Sequence, residues 1–354
     1  MTCLFVTVLL AVVGALLSVP LLPALYELRQ RQDAEPLNVI QQHAGDIRHF
    51  ANSFAAVIKE LEPVLERSHV SGDFSRGILP DGSHYFILPH VDELPKVKEQ
   101  SGLLSCPYVI AFSGDVTCPR QMNFAKEIYV RGHFWGGDRN QYRAVLARSD
   151  VRFGRQSTVL RWAHAGSQLV ADEECKLYGR ISAECRIELR RGCRFVRLNA
   201  PRIDIGQRDE KDTLDRAISK SGFPVQTRRL LHDGEFTIHA GEVIDANIVT
   251  RGKLHVCSGA HVIGSIKSNR DLIIENEAII DGSVICAERI IVGSRCRLHG
   301  PIIAERSMVL YDGTVCGEMH TPTTVSSPEI QIQEGVVIFG TLWARQSGSV
   351  WRRA

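Results

Sequence analysis

Apolar residues alternate with mixed ones through the C-terminal third of the chain, and the alternation repeats. The even-numbered positions from Ala260 read Ala260, Val262, Gly264, Ile266 and Ser268, then Leu272 and Ile274. Eighteen residues on they read Ala278, Ile280, Gly282, Val284 and Cys286, then Ile290 and Val292. The next eighteen give Cys296, Leu298, Gly300, Ile302 and Ala304, then Met308 and Leu310. The odd positions between them, such as His261, Lys267, Asp281 and Ile285, are mixed. A period of two is that of a β-strand with one buried face. The even positions that interrupt it, Arg270, Asn276, Glu288, Ser294, Arg306 and Asp312, are all polar and recur at the same interval. They are predicted to be corners.

Eighteen residues at about 3.3 Å each make a circuit of roughly 60 Å. Circuits stacked about 4.8 Å apart form a parallel β-solenoid, in which equivalent positions lie over one another. The predicted core is Val262, Ile266, Ile280, Val284, Leu298 and Ile302, with Gly264, Gly282 and Gly300 forming a column at a bend too tight for a side chain. The small residue of the template falls at 246, 264, 282 and 300, and next at Gly317. "GVVIFGTLWA" (335–344) fits the same template.

The segment 105–205 reads as a second, less regular solenoid region. "ECKLYGRISA" (174–183) fits, "GCRFVRLNA" (192–200) fits with one residue missing, and Gly114 and Gly132 are eighteen apart. Residues 141–166 are strand-like without a firm register. Between the two regions, 206–235 reads as a linker or insertion, and 236–345 is the regular solenoid.

Toward the N terminus the period changes. Ile40, Ile47, Phe50, Phe54, Val57, Ile58, Leu61, Val64 and Leu65 fall on one face of a helix, which Pro63 is expected to kink or end. This segment, 27–68, is either a juxtamembrane stalk or a helix packed on the domain that follows. Residues 69–104 form a loop with a short strand or hairpin at "HYFIL". There "DGSH" reads as turn chemistry rather than a catalytic Ser–His pair.

Residues 1–26 carry no charged side chain, long enough for a membrane-spanning helix over 3–25. A cleaved leader would have a basic start and a shorter apolar run. Arg29 and Arg31 follow the span, which places the bulk of the chain in the cytoplasm.

Net charge is +2, with 42 basic and 40 acidic residues, so nothing draws the chain to nucleic acid. The ten cysteines show no CxxC pairing; most read as small buried core thiols, and no metal or cofactor is expected.

Turns of the form GxxIxGxIxA followed by LxI resemble the bactofilin family of polymer-forming bacterial cytoskeletal proteins, best over 239–318. The resemblance implies a right-handed parallel β-helix and nucleotide-independent self-assembly. It also implies a homo-oligomer or filament at the bacterial inner membrane that organises envelope-synthesis or cell-shape machinery. Two other functions are compatible with a β-solenoid. A hexapeptide-repeat acyltransferase needs a histidine base; His239, His255, His261 and His299 all face outward and none shows a carboxylate partner in register. A periplasmic polysaccharide-binding β-helix could use a groove of Arg139, Arg143, Arg148, Trp135 and Trp162. No catalytic residue is assigned.

Overall fold

The computed structural model describes residues 46–99, 104–206 and 228–352, together with Val19. The chain divides into two units, Met1–His43 and Ala44–Ala354, and the second holds the fold described below. The expected membrane span over 3–25 lies outside the described residues, as does 207–227. Among the described residues no helix is long and apolar enough to cross a membrane.

The unit is a parallel β-solenoid of about 13 turns, built from short strands on three walls. One column shows the whole stack. On a single wall, in layer order, lie Phe86, Ile110, Ile128, Val145, Ala163, Ile181 and Leu198, then Leu342, Val325, Ile302, Val284, Ile266, Ile248 and Leu230. The first half of that column ascends in sequence and the second half descends. The two solenoid regions therefore meet at their C-terminal turns. The strand Arg194–Ile205 pairs antiparallel with Val337–Trp351, whereas the other pairings along this column, from Phe86 to Leu230, are parallel. All three walls are joined there: Phe195 opposite Gly348, Leu198 opposite Leu342, and Ile203 opposite Ile338. Asn199 Nδ2 donates to Thr341 Oγ1 at 2.9 Å across the junction, and the Arg197 guanidinium lies 4.8 Å from the centre of the Trp343 ring.

The reversal requires the chain to travel after Gly206 from the junction to the far end of the second solenoid. Leu230 is six layer steps from Leu342, about 29 Å at the layer spacing. The 22 residue steps from 206 to 228 reach roughly 70 Å when extended, so the connection is easily made.

From Leu230 to Ile302 each turn of the second region is eighteen residues. Val262, Ile266, Ile280, Val284, Leu298 and Ile302 are fully buried. The corner residues bond to their equivalents one turn on: Arg270 to Glu288 at 2.9 Å, Asn276 Oδ1 accepting from the Ser294 amide at 2.8 Å, and Ser294 to Asp312 at 2.6 Å. The three glycines are not core fillers; they are half-buried and stacked at a corner. A Cβ on Gly282 would lie 2.5 Å from the Gly264 carbonyl oxygen, and one on Gly300 2.5 Å from that of Gly282. The column does not continue at Gly317. Residues 318–322 form an excursion, after which Val325 pairs with Ile302, so Thr323 and then Gly340 stand over Gly300.

The first region has the same cross-section but slips. Its steps are 18 residues from Ile110 to Ile128, 17 from Ile128 to Val145, and 16 from Ile187 to Ile203. Bulges between Phe124 and Glu127, Val159 and Trp162, and Leu177 and Arg180 absorb the differences. Its core is aromatic where that of the second region is aliphatic. Phe124 stacks on Tyr142 at 5.3 Å, with Phe134 and Phe153 packed around it. The buried Tyr142 hydroxyl accepts from Asn140 Nδ2 at 2.7 Å.

Of the two placements allowed for the amphipathic helix, the structure shows the packed one. Helix α1 (His49–Ser71) lies on the outer side of the first region's wall. Ala51, Ile58 and Leu65, seven apart, are buried against Ile87, Ala111, Tyr129, Ala144, Leu146 and Trp162. That wall is apolar on both sides, as covered sheets are, and this erases the alternation from its sequence. Pro63 does not end the helix. It faces solvent, while Ile58 and Leu65 on either side of it are held by packing. Gly72 ends the helix at φ 73°, its amide donating to the Ser68 carbonyl at 3.0 Å. The hairpin Ser75–Ile78/His84–Leu88 follows. Its turn is fixed by Asp81, which accepts from the Ser83 amide and hydroxyl at 2.9 and 3.1 Å.

Candidate functional site

The last turn of a solenoid presents a row of unpaired amides and carbonyls on every wall, so each end must be capped or joined to something. Two of this protein's four solenoid ends are spent on each other at the junction. The N-terminal end of the first region is capped by strands that run backwards: Ser75–Ile78 against His84–Leu88, and Val97–Lys98 against Leu104–Cys106. Antiparallel, short edge strands of this kind stop a parallel stack from propagating.

The N-terminal end of the second region differs. The strands Arg228–His232, Phe236–Ile238 and Val243–Ile244 pair with Ala246–Thr250, Leu254–Val256 and His261–Val262, and among the described residues they have no partner on the other side. Leu231 is 65% exposed and Val243 63% exposed. Sequence reasoning placed this strand in the linker 206–235. Of Arg228, Leu230 and His232, which stand under Ala246, Ile248 and Thr250, only Leu230 is apolar, so the terminal turn does not carry the inward pattern.

The outer wall carries the histidines, and here the structure corrects the sequence reading. His261 Nε2 lies 2.9 Å from Asp281 Oδ2, and His299 Nδ1 lies 3.0 Å from Asp281 Oδ1. His255 Nε2 lies 2.8 Å from Glu275 Oε1. Two of these pairs are twenty residues apart, on the diagonal between layers, which is why a search at eighteen passes over them. Surface depressions lie at the α1 C terminus, beside the hairpin, and over the corner at Arg139 and Gln156; these histidines line none of them. The proposed arginine and tryptophan groove is not assembled. Trp162 is buried beneath α1 against Phe54, Arg148 pairs with Glu62 at 3.0 Å, and Arg143 pairs with Glu127 at 2.9 Å.

The nine cysteines among the described residues are free thiols. Cys286, Cys296 and Cys316 face inward and are buried, and burial pushes the Cys286 and Cys296 thiols up to about 11. Cys257 is the exception in this region: it is half-exposed on the outer wall, with its sulfur among the side chains of His255 and Glu275. The Ser258 hydroxyl, and after it His255, hold the Glu275 carboxyl below its ordinary value.

Among the described residues, the fold and its ends define a β-solenoid protein with one open and one capped extremity. Residues 236–342, within the second solenoid, match the family model described as Bactofilin, polymer-forming cytoskeletal. No curated protein and no solved structure matches the chain.

Proposed function

We propose that the protein is a membrane-anchored scaffold of bactofilin type that self-associates through the open turn at 228–244. It is held by residues 3–25 at the bacterial inner membrane with its solenoid in the cytoplasm, where it organises envelope or cell-shape machinery. The observation that carries this reading is the pair of unlike ends. The chain already joins two solenoid ends by antiparallel strand pairing, at Arg194–Ile205 and Val337–Trp351. A second copy can join the open end in the same way. Because the opposite end is capped, such an assembly closes at two copies instead of growing into an open filament. The polymer-forming description of the matched family supports self-association.

Mass measurement of the purified full-length chain in detergent tests this. A dimer that reverts to monomer in the Leu231→Lys/Val243→Lys variant, both positions being exposed in the monomer, is the expected result. Monomers at micromolar concentration in the wild type would refute self-association, and long filaments by electron microscopy would refute the closed pair. For topology, a C-terminal alkaline phosphatase fusion should be inactive and a fluorescent protein fusion bright.

A further inference from the structure

We propose that the outer wall of the second solenoid binds a zinc ion between His255, Cys257 and Glu275, with His239 completing the shell. Stacking brings these residues together. The pairing of Ile238 with Val256, and of Val256 with Ile274, puts His239, Cys257 and Glu275 at one corner of three successive layers. His255 precedes Cys257 by two residues and so points to the same side of the wall. One ligand atom from each of His255, Cys257 and Glu275 lies within 4.8 Å of the other two, and His255 Nε2 is 2.8 Å from Glu275 Oε1. A tetrahedral zinc ion with bonds of about 2.0 Å to nitrogen and oxygen and about 2.3 Å to sulfur sets its ligands roughly 3.2–3.8 Å apart. Rotation of exposed side chains covers that difference.

The donor set suits the ion. A thiolate with imidazole and carboxylate favours zinc over magnesium or calcium, which take oxygen ligands. The carboxylate is also oriented. Glu275 Oε2 accepts from the Ser258 amide at 3.0 Å and the Ser258 hydroxyl at 2.9 Å, leaving Oε1 turned toward His255. Outer hydrogen bonds of this kind fix ligand direction in metal sites. The rest of the outer wall offers a contrast: His261, Asp281 and His299 form a chain of imidazole and carboxylate with no thiol. Buried Cys286, Cys296 and Cys316 serve as core, whereas Cys257 fills no core position.

The ligands span the first three layers at the open end of the solenoid. The ion would fasten the terminal turn, with its strand Phe236–Ile238, to the two turns behind it. The thiol gives up its proton to bind the ion.

The test uses the purified full-length chain, titrated with zinc by calorimetry and with cobalt by absorption spectroscopy. One ion per chain is expected, with a thiolate-to-cobalt charge-transfer band in the near ultraviolet. Cys257→Ser should abolish the band, and Cys257→Ser and His255→Ala should each weaken zinc by at least about tenfold. Ser258→Ala should weaken it about tenfold by releasing the carboxylate. Cys185→Ser, at the exposed cysteine elsewhere, should change neither readout. The substituted side chains are on the outer wall, and circular dichroism would verify that each variant folds. Absence of stoichiometric zinc, or a charge-transfer band that survives Cys257→Ser, overturns the proposal. Unchanged affinity in His239→Ala overturns the assignment of the fourth ligand. None of these outcomes depends on the oligomeric state, so this site and the self-association reading stand or fall separately.

Discussion

A disulfide placed across the junction would test the reversal of the stack directly. Asn199 and Thr341 are opposite one another on the antiparallel pair, and their side chains meet at 2.9 Å. Cysteines at both positions should oxidise without backbone movement, since directly opposed strand residues bring their Cβ atoms close to disulfide range. Cys3, Cys185 and Cys257 would first be replaced by serine, because the other cysteines are buried and react slowly. The new bond closes a loop of 142 residues. The chain-entropy relation puts the gain for so long a loop near 5 kcal/mol, and engineered bonds commonly deliver roughly 2–4. The oxidised variant should run faster on a non-reducing gel, independent of protein concentration, and melt several degrees higher than its reduced form. The control pairs Asn199→Cys with Leu230→Cys. If the solenoid continued in chain order, position 230 would lie in the layer next to 199. In the structure Leu230 is seven layer steps from Leu198, about 34 Å away. A cross-link from 199 to 230 and none from 199 to 341 would refute the tail-to-tail arrangement.

Three further outcomes follow from the stacked core. Ile280→Ala, at a fully buried side chain between Val262 and Leu298, should cost about 2–5 kcal/mol, whereas Ile285→Ala on the outer side should cost about 1 kcal/mol or less; chemical denaturation of the two variants checks which face is inward. Gly282→Val should destabilise by about 1–3 kcal/mol or more, because its Cβ meets backbone atoms of Gly264 that the stack holds in place, and a neutral result would show that the corner can open. Thiol reagents should label Cys185 and Cys257 in the native protein and reach Cys286 and Cys296 only on unfolding. Since the latter two rise from the ordinary 9.0 to about 11 in the folded state, their contribution to stability is complete below pH 9 and declines as the pH rises toward 11, which urea midpoints across that range would show.

The cross-section of this protein is written in its sequence. A strand has a period of two and a closed turn returns every eighteen residues, so a few residues on each wall declare which way they face. That local rule marks the six aliphatic core positions, the polar corners and the glycine column. It failed where a second constraint acted. Beneath α1 the outer wall is also apolar, so Tyr129, Ala144 and Trp162 break the alternation although the stack continues under them. At Arg228–His232 no layer lies beyond among the described residues, and the pattern lapses although the strand is present. Register slips of one or two residues in the first region hid its period, since a shift of one residue exchanges the two faces.

Which ends meet is a different kind of information. Repeats specify how one turn sits on the next, and they say the same thing at every turn. The antiparallel union of Arg194–Ile205 with Val337–Trp351 depends on residues some 140 positions apart that have no period in common. The same holds for the diagonal pairs of His255 with Glu275 and His261 with Asp281, which exist only once the layers are stacked. The sequence alone determined the wall and its inward face, because these follow from local geometry. Tertiary structure alone decided the order of the stack, the face that α1 covers and the end left open, because these are set by which edges remain to be paired after every turn has formed.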